Sequence, residues 1–312
     1  MSQQSAQSAA GVLRARGVCF PWGREIAPHL MGIVNVTPDS FSDGGLHLEA
    51  AAAVAHGERC AAEGATLLDV GGESTRPGAL RVADAEQAAR VVPVVRALAG
   101  RHAVSVDTTR ASVARAALEA GACMVNDVSG GTEDPVIVDV AAEFGAALVL
   151  MHRRFAPGED RWSTEHDPRR TSADVMAEVS DWLAARVDDV VRRGVSRDRV
   201  AVDPGIGFGK SVAENVELIE RLREFRVLGV PVLVGASRKS FLGELAGEPE
   251  PARRDAASVV AARAAAVRGA AFLRVHAVRS HAGIVAAGEA LPGAHAGWAR
   301  AIVRPGTSEI RS

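Results

Sequence analysis

Short runs of consecutive apolar residues alternate with longer Ala-rich segments along most of the chain. The runs are continuous rather than alternating, which is typical of parallel strands that are buried on both faces. Eight such runs occur: MGIVNV (31–36), TLLDVG (66–71), AVSVDT (103–108), CMVNDV (123–128), ALVLMH (147–152), RVAVDP (199–204), PVLVGA (231–236) and FLRVHA (272–277). The pattern therefore predicts eight parallel strands.

Helices are predicted between these strands, because the intervening segments have a helical period and several end at a glycine. They span residues 48–64, 84–100, 110–121, 135–145, 171–194, 214–229, 253–270 and 280–293. Eight strand–helix units without a second class of composition favour a single α/β domain, a closed (β/α)8 TIM barrel, over an open doubly wound sheet.

The barrel is expected to occupy residues 12–293, with tails at 1–11 and 294–312. Residues 153–170 form a charged, proline-containing connection after the fifth strand. The length of this connection is compatible with a mobile loop and with a lid, and both interpretations stay open.

Composition narrows the class of protein. The net charge of -2 gives no electrostatic reason to expect binding to nucleic acid or to an anionic membrane. No run approaches the roughly 18 to 20 apolar residues that span a bilayer, and the N-terminal residues lack the apolar core of a signal peptide. Cys19, Cys60 and Cys123 have no metal-binding or CxxC spacing. We therefore expect a soluble, cytoplasmic protein.

Polar residues lie at or just after the ends of all eight predicted strands. In chain order they are Asn35, Asp69, Asp107, Asn126 with Asp127, His152, Asp203, Lys239, and Arg274 with His276. A single polar strand end would equally fit a helix N-cap. Eight of them on one rim indicate an active site, because TIM barrels build their sites at the C-terminal ends of the strands.

The chemistry of this set is of two kinds. Asp107, Asn126 and Asp203 supply carboxylate and amide groups, which suit a flat heterocycle with a donor-rich N–C–N edge, such as a pterin or a guanine-like ring. Positive charge for a phosphate or carboxylate comes from Arg76, Lys239, Arg274 and His276. Asn35 is the plainest oxygen ligand for Mg²⁺, shared with phosphate oxygens and water. No nucleophile and base stand out as a pair, and GIGFGK (205–210) lacks the spacing of a nucleotide-binding loop.

Several segments resemble known signatures. MGIVNVTPDSFSDGG (31–45) and LLDVGGESTRPGA (67–79) are similar to the two signature segments of dihydropteroate synthases, and residues 105–131, DPGIGFGKS (203–211), GASRKSFLG (235–243) and LRVH (273–276) resemble the later blocks in order. The resemblance covers about residues 20–285. It implies a homodimeric barrel that, with Mg²⁺, condenses 6-hydroxymethyl-7,8-dihydropterin pyrophosphate with p-aminobenzoate to give 7,8-dihydropteroate and pyrophosphate in folate synthesis.

The resemblance also implies roles for individual residues. The pterin site would comprise Asp107, Asn126, Met151, Asp203, Lys239 and Arg274. The pyrophosphate site would comprise Asn35, Asp43, Arg76, Arg274 and His276, with Mg²⁺ at Asn35. The p-aminobenzoate site would comprise Thr75, Pro77, Phe208, Lys239 and Ser240. The catalytic residues would be Asp107, Lys239, Arg274 and His276.

The resemblance fails at one position, where the family has R-x-H-D and this chain has Ala277 after His276. The missing carboxylate could be an orienting partner of the histidine or a helix cap. Two alternatives to a synthase stay open: a catalytically silent paralogue that binds a pterin or a partner protein, and a pterin-dependent methyltransferase barrel. The methyltransferase would have no use for the TPDSFSDGG and STRPG segments.

Overall fold

The computed structural model describes residues 11–23, 26–36, 45–156 and 158–290, except for the side chains of residues 45–48, 284 and 286–290. An antiparallel hairpin comes first and consists of β1 (Gly11–Ala15) and β2 (Val18–Trp22). Eight parallel strands follow: β3 (His29–Asn35), β4 (Leu67–Gly71), β5 (Val104–Asp107), β6 (Met124–Asp127), β7 (Ala147–Met151), β8 (Val200–Asp203), β9 (Leu233–Val234) and β10 (Phe272–Val275).

The eight strands form a ring, as the sequence predicted. Their order is β8-β7-β6-β5-β4-β3-β10-β9. The ring closes between β9 and β8 through a parallel bridge that pairs Val202 with Val232. The amide of Val202 also donates a hydrogen bond to the carbonyl of Pro231 at 3.0 Å. The prediction of a (β/α)8 barrel is therefore confirmed.

Helices surround the ring. In the described residues they are α1 (Gly45–Ala62), α2 (Asp84–Ala99), α3 (Ala111–Glu119), α4 (Val136–Phe144), α5 (Val175–Arg192), α6 (Val212–Glu220), α7 (Ser240–Ala246), α8 (Asp255–Val267) and α9 (Val278–Ala290). The predicted helix 214–229 is divided, because α6 is followed by a 3-10 segment, Leu222–Leu228. None of the helices in the described ranges is both long and apolar enough to cross a membrane.

Side chains alternate along each strand between two environments. Residues such as Val70, Val106 and Leu148 point outward into the apolar layer between strands and helices. The intervening residues point into the barrel, where the period of two places Leu67 and Asp69 of β4 in successive interior layers. The interior layer at the start of the strands is apolar, whereas the layer at their ends is polar.

The N-terminal hairpin closes the barrel at the end where the strands begin. Leu13, Ala15 and Phe20 pack against interior residues of the strands, including Met31 and Phe272. This hairpin was not predicted from the sequence, because GVLRA and VCFPW lack a clear alternation of apolar and polar residues. Its position leaves the C-terminal ends of the strands as the open end of the barrel.

Candidate active site

Four of the polar strand ends meet in one hydrogen-bonded cluster. Arg274 on β10 donates from Nε to Asp69 Oδ2 and from Nη2 to Asp107 Oδ2, both at 2.6 Å. Asn126 on β6 donates from Nδ2 to the same Asp69 oxygen at 3.0 Å. The register places Asp107 beside Asn126 on adjacent strands, which explains why side chains 57 positions apart in sequence make contact across β4, β5 and β6.

Two carboxyl groups in this cluster share one guanidinium, which can neutralise only one of them. Burial raises the pKa of Asp107, Arg274 opposes that change, and the charge of Asp69 adds to it. Burial disfavours the charged form of Arg274, but the two carboxylates outweigh it and raise the pKa of the guanidinium. Asp69 was noted at a strand end but was not assigned to the site, and its contacts make it a central member.

The cluster offers unused acceptors. Asp69 Oδ1 and Asp107 Oδ1 are buried and have no hydrogen-bond partner in the part of the chain that the structure describes. A buried carboxylate oxygen without a partner is costly unless a ligand supplies the donor. These two oxygens therefore indicate a ligand with N–H donors at this depth of the barrel.

A third carboxylate lies across the barrel mouth on β8. Asp203 is buried and accepts a hydrogen bond from the amide of Gly205 at 2.7 Å. Burial raises the pKa of Asp203, and the positive charge of Lys239 opposes that effect. Gly205 has a φ of +69°, and a Cβ there would lie 1.8 Å from the carbonyl oxygen of His152. Only glycine fits this turn, so the backbone after β8 is fixed close to β7.

Lys239 follows β9 and reaches over the loop that leaves β8. Its Nζ donates to the carbonyl of Ile206 and lies 4.1 Å from the centre of the Phe208 ring. Burial lowers the pKa of Lys239 to about 8, and Asp203 opposes that change. Phe208 and Lys239, which were both predicted to border p-aminobenzoate, are thus in cation–π contact.

A second lysine, Lys210, binds backbone carbonyls of the loop that follows β8. Lys210 is 1% exposed, and its Nζ donates to the carbonyls of Gly205 at 3.0 Å, Phe208 at 3.1 Å and His152 at 3.4 Å. The sequence alone predicted no role for Lys210 within GIGFGK (205–210). The lysine is a structural centre of the loop that carries Phe208.

His276 differs in one respect from its sequence-based interpretation. Burial lowers the pKa of His276 to about 3, and the neighbouring cations Arg238, Arg274 and Arg76 contribute to this effect. The imidazole is therefore neutral at pH 7, whereas sequence analysis counted it among the positive charges. Its Nδ1 lies 3.0 Å from Ser237 Oγ, so the ring is held by a hydrogen bond and not by an ion pair.

The segment with Thr75, Arg76 and Pro77 lies at the edge of the mouth. Thr75 lines a cleft together with Asp107, and Arg76 is exposed. The same cleft is bordered by an ion-pair network in which Glu133 binds Arg81, Arg153 and the hydroxyl of Thr109.

The remaining predicted residues have separate environments. Met151 is buried beside Asp203 in the strand register. Ser240 begins α7, and its Oγ accepts a hydrogen bond from the Ser163 amide at 3.1 Å, which ties the 153–170 connection to α7. Asp43 lies outside the described residues. Asp127 is occupied by hydrogen bonds from residues 129 and 131, so it caps a turn.

Asn35 ends β3 with an exposed side chain. Its amide oxygen is a hard donor of the kind Mg²⁺ accepts, and Mg²⁺ commonly keeps several waters and substrate phosphate oxygens. No cluster of three or more His, Cys, Asp or Glu residues that could hold a metal occurs within the described ranges. The side chain of Asn35 thus offers one hard oxygen donor to a Mg²⁺ ion at the end of β3.

Comparisons with known proteins show which family the chain belongs to. The pterin binding enzyme family model matches residues 31–276. Dihydropteroate synthase from Mycobacterium leprae is 47% identical over 262 residues, 82% of this chain and 90% of the relative. A structure of Xanthomonas albilineans dihydropteroate synthase with 4-aminobenzoic acid is 44% identical, with a TM-score of 0.81 and coverage of 90% of this chain and 98% of that one. The same enzyme with 7,8-dihydropteroate has a TM-score of 0.78 at 42% identity, with coverage of 89% and 98%. The chain belongs to the dihydropteroate synthase family of pterin binding enzymes.

Proposed function

We propose that this protein condenses 6-hydroxymethyl-7,8-dihydropterin pyrophosphate with p-aminobenzoate, which makes it a transferase of folate synthesis. The observation that carries the proposal is the buried cluster of Asp69, Asp107, Asn126 and Arg274, with two unpartnered carboxylate oxygens. A reduced pterin presents amino and ring N–H donors along one edge, which match these acceptors.

The pterin ring is proposed to lie between the two sides of the mouth. Asp107 and Asn126 would bind its donor edge on one side, while Asp203 and Lys239 would bind it from the other. Arg274 would lie over the ring face, since its guanidinium is already held at its edges by two carboxylates. Met151 would pack near the ring.

Loss of pyrophosphate would precede attack by the amine, because an electron-rich pterin can stabilise the cationic methylene that is left behind. Arg274 would neutralise the charge that develops on the leaving group, and His276 would donate a hydrogen bond to it. The buried carboxylates would stabilise the cation electrostatically. The aromatic amine is neutral at pH 7, so it needs orientation more than a general base.

The p-aminobenzoate would enter beside Phe208 and Lys239, next to the start of α7. Backbone N–H groups at the start of a helix favour a carboxylate, and Ser240 lies at that point. Thr75 and Pro77 would border the slot from the other side. Arg76 and Asp43 would complete the pyrophosphate site when the two signature loops close.

Three finer features belong to the same proposal. Mg²⁺, held at Asn35, would supply charge neutralisation to the pyrophosphate when bound. The enzyme would act as a homodimer, which light scattering tests. It would act in the cytoplasm, and its three cysteines, all free, suit a reducing compartment.

The decisive experiment measures pyrophosphate release by the purified protein with pterin pyrophosphate and Mg²⁺, with and without p-aminobenzoate. Formation of 7,8-dihydropteroate only when the amine is present would establish the reaction. Asp107→Ala should lower the rate about 100- to 1,000-fold, as expected for loss of one preorganised electrostatic group. Asp139→Ala on the outer face of α4 is the matched control and should leave the rate unchanged.

The rival functions give different results in the same assay. A silent paralogue would bind the pterin in calorimetry and release no pyrophosphate. A pterin-dependent methyltransferase would require a methylated folate and a methyl acceptor, and it would not consume p-aminobenzoate. Either outcome would overturn the proposal.

A further inference from the structure

Ser237 makes two contacts with His276, the residue that precedes Ala277, where this chain departs from its family. Its Oγ is 3.0 Å from His276 Nδ1 and accepts a hydrogen bond from the His276 backbone amide at 3.3 Å. Ser237 is 8% exposed, so water does not compete freely for its hydroxyl. The serine therefore contacts His276 at both its backbone and its ring.

The hydroxyl proton of Ser237 determines which ring nitrogen carries a proton. Apart from Nδ1, no acceptor for this proton lies within hydrogen-bond distance among the described residues. The Ser237 hydroxyl can accept a hydrogen bond from the His276 amide with its oxygen and donate its proton to Nδ1. Nδ1 is then an acceptor, so in the neutral ring the proton must reside on Nε2.

The surrounding charges favour the neutral ring. Arg238, Arg274 and Arg76 are close enough to disfavour an imidazolium, and Asp255 is the carboxylate that opposes them. Arg238 binds Asp255 through Nε at 2.6 Å and Nη2 at 2.9 Å. Because this guanidinium neutralises the Asp255 carboxylate, the carboxylate does little to stabilise an imidazolium at His276. His276 is thus a hydrogen-bond donor in a cationic environment.

The turn that carries Ser237 is fixed to α8. Arg238 has a φ of +60°, a left-handed conformation that is rare outside glycine. Its backbone amide donates to Ser258 Oγ at 2.8 Å, and its side chain binds Asp255. Ser258 is buried and donates onward to the carbonyl of Arg254 at 2.7 Å. These bonds hold the strained residue and so fix Ser237 beside it.

We propose that Ser237 is a positioning residue that holds neutral His276 in its Nε2–H tautomer, so that Nε2 points a donor at an anionic oxygen of the substrate. The proposal rests on the proposed function only in naming pyrophosphate as the anion. The tautomer itself is a property of the free protein.

The first test is the tautomer of His276 in the protein without substrate, read from imidazole ¹⁵N chemical shifts at pH 7. The expected result is protonated Nε2 and unprotonated Nδ1. Protonated Nδ1 in the wild-type protein would overturn the proposal, whatever its variants do and whether or not the protein is a synthase.

The second test uses variants. Ser237→Ala should give a mixture of tautomers and lower kcat/KM for pterin pyrophosphate about 10-fold, the lower end of the loss when an outer partner of a functional imidazole is removed. The KM for p-aminobenzoate should stay unchanged. Ser237→Thr keeps a hydroxyl and should restore the Nε2–H signal and the rate.

The matched control is Ser196→Ala, which removes a hydroxyl bonded to Asp198 at the opposite end of the barrel. It should change neither the tautomer nor the kinetics. An active Ser237→Ala enzyme with the wild-type tautomer and wild-type kcat/KM would refute the positioning role while leaving the synthase function intact. An inactive wild-type protein with the Nε2–H tautomer would refute the synthase function alone.

Discussion

The two ends of the barrel interior are built from the same strands and differ in almost every other respect. At the strand starts, the interior is filled by apolar side chains and sealed by the N-terminal hairpin. At the strand ends, two residues further along, Asp69 replaces Leu67 and Asn126 replaces Met124 as the inward-facing side chain. Below Asp107 on β5 the buried hydroxyl of Ser105 interrupts this apolar interior, whereas the open end holds two carboxylate oxygens without partners among the described residues.

Along the barrel axis, the residues at the sealed end therefore contribute mainly to stability and those at the open end mainly to function. Apolar burial at the sealed end contributes to folding at little electrostatic cost. The open end gathers three carboxylates and two cations, an arrangement that is unfavourable until a ligand supplies the missing donors. Mutations at the two ends should therefore affect different measurements.

The largest effect is expected at the sealed end. Phe20 is buried, and its ring packs edge-on against Phe272 with centroids 5.5 Å apart. Phe20→Ala should lower the free energy of unfolding by about 3–5 kcal/mol, as for other buried aromatic truncations. Denaturant unfolding measures this, with Val227→Ala on the exposed surface as control. A large loss of kcat/KM in folded Phe20→Ala would contradict the separation.

The next effect is expected at the open end, on activity. Asp69→Ala removes one of the two partners of Arg274 and an acceptor of Asn126. We expect a loss of about 100- to 1,000-fold in kcat/KM, measured by pyrophosphate release, because a preorganised charge is removed. Arg274 keeps Asp107 as a partner, so the protein should remain folded. Near-normal turnover would exclude Asp69 from the site.

A smaller effect should appear as a pH dependence of stability. Burial lowers the pKa of His152 to about 2, below the value of 6.5 in an unfolded chain. Its contribution to stability is therefore complete above pH 6.5 and decreases as the pH falls. At pH 4.5 the loss should be roughly 2–3 kcal/mol, and the unfolding curve of His152→Asn should lack it. Parallel pH profiles of the two proteins would contradict this account.

The smallest effect is expected for Ser211, a residue near the open end that we expect to contribute to stability and not to activity. Ser211 caps α6 beside the GIGFGK loop, and its Oγ accepts from the Glu214 amide while Glu214 accepts from the Ser211 amide. Ser211→Ala should cost about 1 kcal/mol of stability and leave kcat/KM unchanged. Calorimetry and steady-state kinetics measure the two quantities. A change in turnover would contradict a purely structural role for this cap.

The barrel was predictable because parallel strands buried on both faces produce continuous apolar runs, and all eight runs became strands. The positions of Asp107, Asn126, Asp203 and Arg274 followed from the rule that strand ends converge. The neutral state of His276 did not, because it depends on burial and on cations from other loops.

Other contributions were also hidden in sequence. Lys210 lies in a glycine-rich segment that gives no sign of three carbonyls around its ammonium. In the sequence, Ser237 has no histidine or carboxylate near it that would mark it as a functional residue. The fold brings its hydroxyl to the ring of His276. The contacts of Ser237 with His276 and of Lys210 with the His152 carbonyl join segments that are far apart in the chain, which periodicity and spacing do not encode.

The barrel is closed between β8 and β9 by few backbone pairings. The two sides of the mouth should therefore differ in how easily they open locally. β9 pairs with β10 through two residues and with β8 through a single bridge, whereas β3 and β4 pair through five. Local opening should therefore begin at this closure, where few backbone hydrogen bonds must break. Asp203 and Lys239 flank it, so the pocket has a compliant wall on their side. Asp69, Asp107 and Arg274 lie on strands that pair with β3 or with each other through four or five residues, so we expect that wall to keep its shape.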